Sequence, residues 1–207
     1  MTFVQAILAF LVAASVLTVT PGLDTALVLR TAAVSGPRPA WRAALGVGLG
    51  CLIWGAAVSV GLGALLAASE LAYTIVKWAG AAYLLWLGVG LIARPRRGID
   101  LAAGAAPERD ARQALRRGLL TNLLNPKVGV FYVTFLPQFV PAGASIAGFS
   151  FLLAAIHVVL GLIWFAVLIA ATVPLGRVLA RPRMVTALDR LTGGIFVAFG
   201  VKLALTR

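Results

Sequence analysis

Leu124-Asn125-Pro126-Lys127 sets an amide, a helix breaker and a charge side by side within an apolar region of the chain. An earlier interruption, Thr20-Pro21-Gly22-Leu23-Asp24, has the same character. In lipid, no water is at hand for a freed backbone group, and a charge at the bilayer centre costs about 2.5 to 3.5 kcal/mol on insertion scales. Two such interruptions in corresponding places are therefore the first candidates for a working site, provided that the chain lives in lipid.

The composition places it there. Of 207 residues, 61% are hydrophobic and 12% charged, and the mean hydropathy is +1.01, well above that of a globular domain. The net charge of +12 raises the question of nucleic acid. A soluble basic domain, however, would not carry charge-free runs such as Ala43 to Ser69 or Val128 to Gly176, so lipid and not nucleic acid is the expected surroundings. Cys51 and His157 are the sole residues of their types, which excludes an intramolecular disulfide and any Cys/His zinc cluster. No metal or cofactor is expected. The first basic residue is Arg30, so the apolar N-terminal stretch reads as a membrane span and not as a secretory leader.

The chain divides into six expected spans, which gives an all-α integral membrane protein. The first covers residues 1–34 and is broken at Pro21 and Gly22; the second covers Ala43 to Ser69; the third covers Trp78 to Ala93, after a turn at Glu70 to Lys77. The fourth starts near Gly118, is broken at Pro126 and ends at Pro137 to Pro141. The fifth covers Ser145 to Val173, and the sixth covers Leu191 to Leu205 after a basic connection from Pro174 to Arg190. Five spans remain the alternative, if the last segment lies in the interface. Residues 1–93 and 118–207 form two halves joined by a basic linker, 94–117, with seven arginines.

With six spans, Arg30, Arg38, Arg42, the linker arginines and Arg177 to Arg190 share one side, which the positive-inside rule makes cytoplasmic. Both termini then lie outside. Three spans per half give the halves opposite orientation, each with a broken first span, and aligning Gly88 with Gly200 also superposes Val89 on Val201 and Leu91 on Leu203. Two inverted three-helix repeats with substrate held near the midplane is the transporter architecture that this pattern predicts. Gly46 and Gly50 stand at the spacing that lets helices approach closely, and glycine-rich spans of this kind also suit a homodimer.

At the two breaks the chain resembles the LysE/RhtB family of bacterial amino-acid and metabolite exporters. Thr20-Pro21-Gly22-Leu23-Asp24-Thr25, with Gly36 and the Gly46 to Gly50 glycines, is similar to the family's PGPD region. Arg117-Gly118-Leu119-Leu120-Thr121-Asn122-Leu123-Leu124-Asn125-Pro126-Lys127, continuing through Phe131 to Phe135-Leu136-Pro137-Gln138-Phe139, is similar to its G-x-x-x-N-x-x-NPK region and the run to PQF. The resemblance covers essentially the full length. Leu23 departs from it, standing where the family usually has a second proline. The resemblance implies a six-span secondary exporter in the bacterial inner membrane, moving amino acids or related metabolites out of the cytoplasm in exchange for protons.

Asp24 is the one carboxylate set well apart from the loops, and Lys127 is its natural partner, since each follows the break of its half. A zwitterionic substrate would compete for that pair, its ammonium meeting Asp24 and its carboxylate meeting Lys127 or the amides beyond Gly22. Structural charges near the membrane surface are the alternative. Asn122 and Asn125 suit either substrate contact or bridging of broken backbone, with Thr20 and Gln138 as weaker versions. His157 suits a proton relay or a hydrogen bond between helices. An intramembrane enzyme would want paired aspartates, a Ser/His pair or a metal set, and Asp24, His157 and Cys51 occur singly. A passive channel or scaffold remains the alternative to an exporter.

Overall fold

The computed structural model describes residues 2–68, 70–95, 110–171 and 181–205, which are helical throughout apart from short connections, with no strand among them. Helix α1, Phe3–Val19, opens on a capping box in which Thr2 and Gln5 satisfy each other's backbone amides. It stops because Thr20 precedes a proline, which disfavours helical geometry, and Thr20 is extended at φ −65° and ψ 116°. Extended Gly22 then leads into α2, Leu23–Ser35, whose axis turns 53° from that of α1. Gly36, at φ 89°, takes up a left-handed conformation that other residues rarely adopt, and Pro37 opens α3, Pro37–Ala68.

Helix α4 covers Glu70–Ala93. The turn expected at Glu70 to Lys77 is thus helical, the charges having suggested a loop where they decorate the first turns of a helix. Most of the linker, 96–109, and the stretch 172–180 lie outside the described residues. Helix α5, Ala111–Leu123, is capped by Asp110, which accepts from the Arg112 amide at 2.9 Å. After Leu124 and Asn125 comes α6, Pro126–Val130, which runs on as a π turn, Phe131–Phe135, and a 3-10 turn, Leu136–Phe139. This second broken pair bends by 56°. Ser145 caps α7, Ile146–Ala170.

The last helix, α8, covers Pro182–Leu205, so the sixth apolar segment begins nine residues before the expected Leu191. Arg181, Arg183 and Arg190 are exposed, while Val185, Asp189, Thr192, Gly193 and Phe196 are buried on the other face. The high density of charge on one side concealed that buried stripe.

Within α3, Pro37–Gly61 is long and apolar enough to cross a membrane, as are α7 and α8; each bent pair qualifies as one further span, and the apolar part of α4, Lys77–Ala93, is shorter. The chain is a multi-pass membrane protein. Helix α3 packs on α5 and α7, and α4 packs on α8. Glycine permits both approaches. A Cβ on Gly46 would overlap the Leu115 carbonyl of α5, and one on Gly118 would overlap the Ala43 carbonyl of α3. A Cβ on Gly88 would come within 2.7 Å of the Gly193 carbonyl. Between these layers, Phe10, Phe131, Phe135, Phe139 and Phe199 stack as a connected set of rings that packs α1 and α8 against the π turn.

Candidate functional site

Each proline at a break strips one backbone carbonyl of its helical donor, and each of those carbonyls finds another partner. Leu17 would ordinarily accept from the residue four positions on, but that residue is Pro21, which has no N–H. Lys127 Nζ from the second break donates to the Leu17 oxygen at 3.3 Å and to the Thr20 oxygen at 3.2 Å. The ammonium therefore sits at the C-terminal end of α1, where the helix dipole favours a cation. Gly22 lies beside this approach, where an added Cβ would make only an ordinary contact, 3.8 Å from Lys127 Nζ.

At the second break, Pro126 likewise leaves the Asn122 carbonyl without its usual donor, and the Asn125 amide supplies one at 3.0 Å. The Asn125 side chain caps α6, its Oδ1 accepting from the Lys127 amide at 3.1 Å. Its Nδ2 reaches across to Asp24 Oδ2 at 3.4 Å. Asn122, fully buried, donates to the same oxygen at 2.9 Å. Asp24 lies in the first turn of α2, where a carboxylate also complements the helix dipole. Two amides thus hold one oxygen of Asp24. The other, Oδ1, is buried and accepts no hydrogen bond from the described residues. A buried acceptor left in this condition is costly unless something donates to it.

A cavity of about 70 Å³ lies against these groups, several times the roughly 10 to 15 Å³ that one water needs. Its walls come from the end of α1, the start of α2, α3, the second break and α7, and bring Asp24, Asn125, Lys127 and His157 to one space. His157 is buried on α7, with Nδ1 2.9 Å from the Tyr132 hydroxyl and the Phe131 ring centroid 5.1 Å away. Gly50 lies where its lack of a Cβ makes room for Asn122, because an added Cβ would come within 2.5 Å of Asn122 Oδ1. Gly46 stands one turn earlier on the same helix, against α5. Thr20, besides serving Lys127 with its carbonyl, shares a 2.6 Å hydroxyl bond with Thr192 of α8. Gln138 donates to the Thr134 carbonyl at 2.9 Å, does not line the cavity and instead braces the π and 3-10 turns.

Four buried residues escape a reading of the sequence. Cys51 lines the cavity and takes a 3.4 Å contact from Asn122 Nδ2, but a buried cysteine in a glycine-rich span looks like packing. Tyr132 stands in an apolar run, and its hydroxyl, which must find a partner when buried, is the signal that could have pointed to His157. Asp189 and Thr192 are buried one turn apart on α8, the first in a stretch that reads as a basic connection and the second at the start of the expected sixth span. Among the described residues, no cluster of three or more His, Cys, Asp or Glu could hold a metal ion.

Comparison with known proteins agrees with the motifs. Residues 15–207 match the family described as LysE type translocator. An uncharacterized membrane protein of Pseudomonas aeruginosa is 35% identical over 189 residues, covering 89% of this chain and 88% of its own length. The uncharacterized membrane protein YrhP of Bacillus subtilis is 30% identical over 98% of this chain and 100% of its own. A leucine efflux protein of an Enterobacter strain is 32% identical over 94% of this chain and 93% of its own. No solved structure matches the chain.

Proposed function

The chain belongs to the LysE type translocator family, and from that premise we propose that it exports amino acids or related small metabolites from the cytoplasm in exchange for protons. One observation carries this reading: Asp24, whose Oδ1 is buried and without a donor among the described residues, and Lys127 line the same cavity. An acceptor and a cation across one small space suit a zwitterion. The substrate ammonium donates to Asp24 Oδ1, while its carboxylate competes with the Leu17 and Thr20 carbonyls for Lys127 Nζ. The leucine efflux relatives support an amino acid as cargo.

Coupling follows from the same oxygen. Asp24 Oδ1 meets either an ammonium or a proton, so a proton that neutralises the carboxylate after substrate leaves would tie the two flows together. His157, bonded to Tyr132 on the cavity wall, is the group that would pass that proton. In this reading the halves 1–93 and 118–207 are inverted three-helix repeats that rock about the cavity, joined by the cytoplasmic linker 94–117, with both termini outside the cytoplasm of a bacterial cell. The two breaks, bent by 53° and 56°, support that relation.

The test is efflux of radiolabelled amino acids from proteoliposomes holding the purified chain, with and without an imposed proton gradient. Export driven by the gradient and lost with an uncoupler is expected. Efflux indifferent to the gradient would make the protein a passive channel.

A further inference from the structure

The cavity is lined by polar and by apolar residues, and among them is a glycine that helix packing does not explain. Most glycines in the helices of this protein lie against another helix: Gly46, Gly50, Gly55, Gly80, Gly88 and Gly118 would each drive an added Cβ to within 2.7 Å or less of a neighbouring atom. Gly61, Gly90 and Gly194 meet nothing within 4 Å, but they are exposed on outer helix faces. Gly161 of α7 differs from both groups. It is half-buried, it lines the cavity, and a Cβ there would meet nothing within 4 Å. Its absent side chain therefore leaves space inside the site, where a larger residue would fit the backbone but occupy the cavity.

On the α3 and α7 side this cavity is largely apolar, with Cys51 and His157 as the exceptions. Val47 and Gly48 of α3 and Val158, Leu162 and Phe165 of α7 line it, and none of them carries a charge or a side-chain hydrogen-bonding group. A Cβ on Gly48 would stand 3.4 Å from Val158 Cγ1, an ordinary contact, so the α3 glycine also leaves room without being forced by packing. Asp24 and Lys127 line the same cavity.

We infer that Gly161 sets the size of the substrate side chain, and that the cargo is a neutral amino acid with an apolar side chain, seated against Gly48, Val158, Leu162 and Phe165 while its ammonium and carboxylate face Asp24 and Lys127. This rests on the exporter reading above and deepens it. A charged side chain such as that of lysine would have to lie among these apolar groups without a counter-charge, which is strongly unfavourable. Side-chain size is discriminated here by volume, the kind of selection in which one methylene is worth about 10- to 200-fold.

The experiment compares the unsubstituted protein with Gly161→Ala and Gly161→Val in proteoliposomes loaded in turn with alanine, leucine and lysine. The unsubstituted chain is expected to export leucine and to leave lysine inside. Gly161→Val is expected to lower leucine export by about tenfold or more relative to alanine export, with Gly161→Ala between the two. Because a ratio of two substrates is read on the same preparation, partial loss of folded protein cancels, and Gly161→Ala serves if the valine variant does not fold. A parallel fall for alanine and leucine, or an unchanged ratio, overturns the sizing role while export by the unsubstituted chain keeps the exporter reading intact. Lysine exported as well as leucine overturns the apolar class. No export of any amino acid by the unsubstituted chain overturns the exporter reading, and this inference with it.

Discussion

Lys127 Nζ and the carbonyl oxygen of Leu17 lie 3.3 Å apart across 110 positions of sequence, and Pro21 is the reason that the oxygen is available. A residue missing one donor in the first half thus creates the acceptor for a cation in the second. Lys127→Met removes that cation while keeping much of its length. It is expected to lower export by roughly 10- to 150-fold, the equivalent of a charge-assisted hydrogen bond of about 1.5 to 3 kcal/mol, as measured by initial efflux rates. A variant exporting at the unsubstituted rate would remove Lys127 from the mechanism.

Asp24→Asn is expected to abolish export while the protein still inserts in the membrane. It replaces the carboxylate that Asn122 and Asn125 hold by one oxygen. Membrane fractionation together with efflux reads both halves of the expectation, and normal export would refute it.

Asn122→Ala leaves Asp24 Oδ2 with only the 3.4 Å contact from Asn125. Stability in detergent is expected to fall by about 1 to 3 kcal/mol, the usual consequence of orphaning a buried polar partner. Thermal unfolding of the purified protein gives the answer, and an unchanged midpoint would show that the bond contributes little.

Gly118→Ala, which pushes a methyl into the Ala43 carbonyl, is expected to cost about 1 to 3 kcal/mol through overpacking of α3 on α5. Gly90→Ala, exposed on α4 with nothing within 4 Å, is expected to be neutral or to stabilise the helix by roughly 0.5 to 1 kcal/mol. The opposite order of unfolding midpoints would contradict the packing described for these helices.

Leu23 is the first residue of α2 and is 57% exposed. A proline at the first helical position loses no intrahelical bond and is preorganised for the helix. Leu23→Pro is therefore expected to leave export intact and to stabilise the protein by about 0.4 to 1 kcal/mol. A drop in stability would mean that the Leu23 amide or side chain serves a purpose that proline cannot.

Hydropathy and the Pro-containing breaks are local signals, and from them the helical class and the positions of the bends around Pro21 and Pro126 are legible. Asp24 and Lys127 stand out in sequence because charge is conspicuous in an apolar chain. Which groups donate to them is not conspicuous. The amides of Asn122 and Asn125 converge on Asp24 from about a hundred residues away, and the carbonyl ends of α1 receive Lys127, relations set by the crossing of α3 with α5 and by glycines that admit it. The start of α8 is illegible for a different reason. Its arginines dominate the composition of 181–190, whereas Val185 and Asp189, which face inward, are too few to show a period.

The convergence of Asn122 and Asn125 on Asp24 also sets an order of events during synthesis. Asp24 emerges from the ribosome about a hundred residues before either amide, which at roughly 5 to 20 residues per second is on the order of 5 to 20 s. For that interval the first broken helix pair enters the membrane with its carboxylate unmatched and the Leu17 oxygen unclaimed. The nascent first half must therefore depend on the insertion machinery, or on a proton, until the second break arrives to complete it.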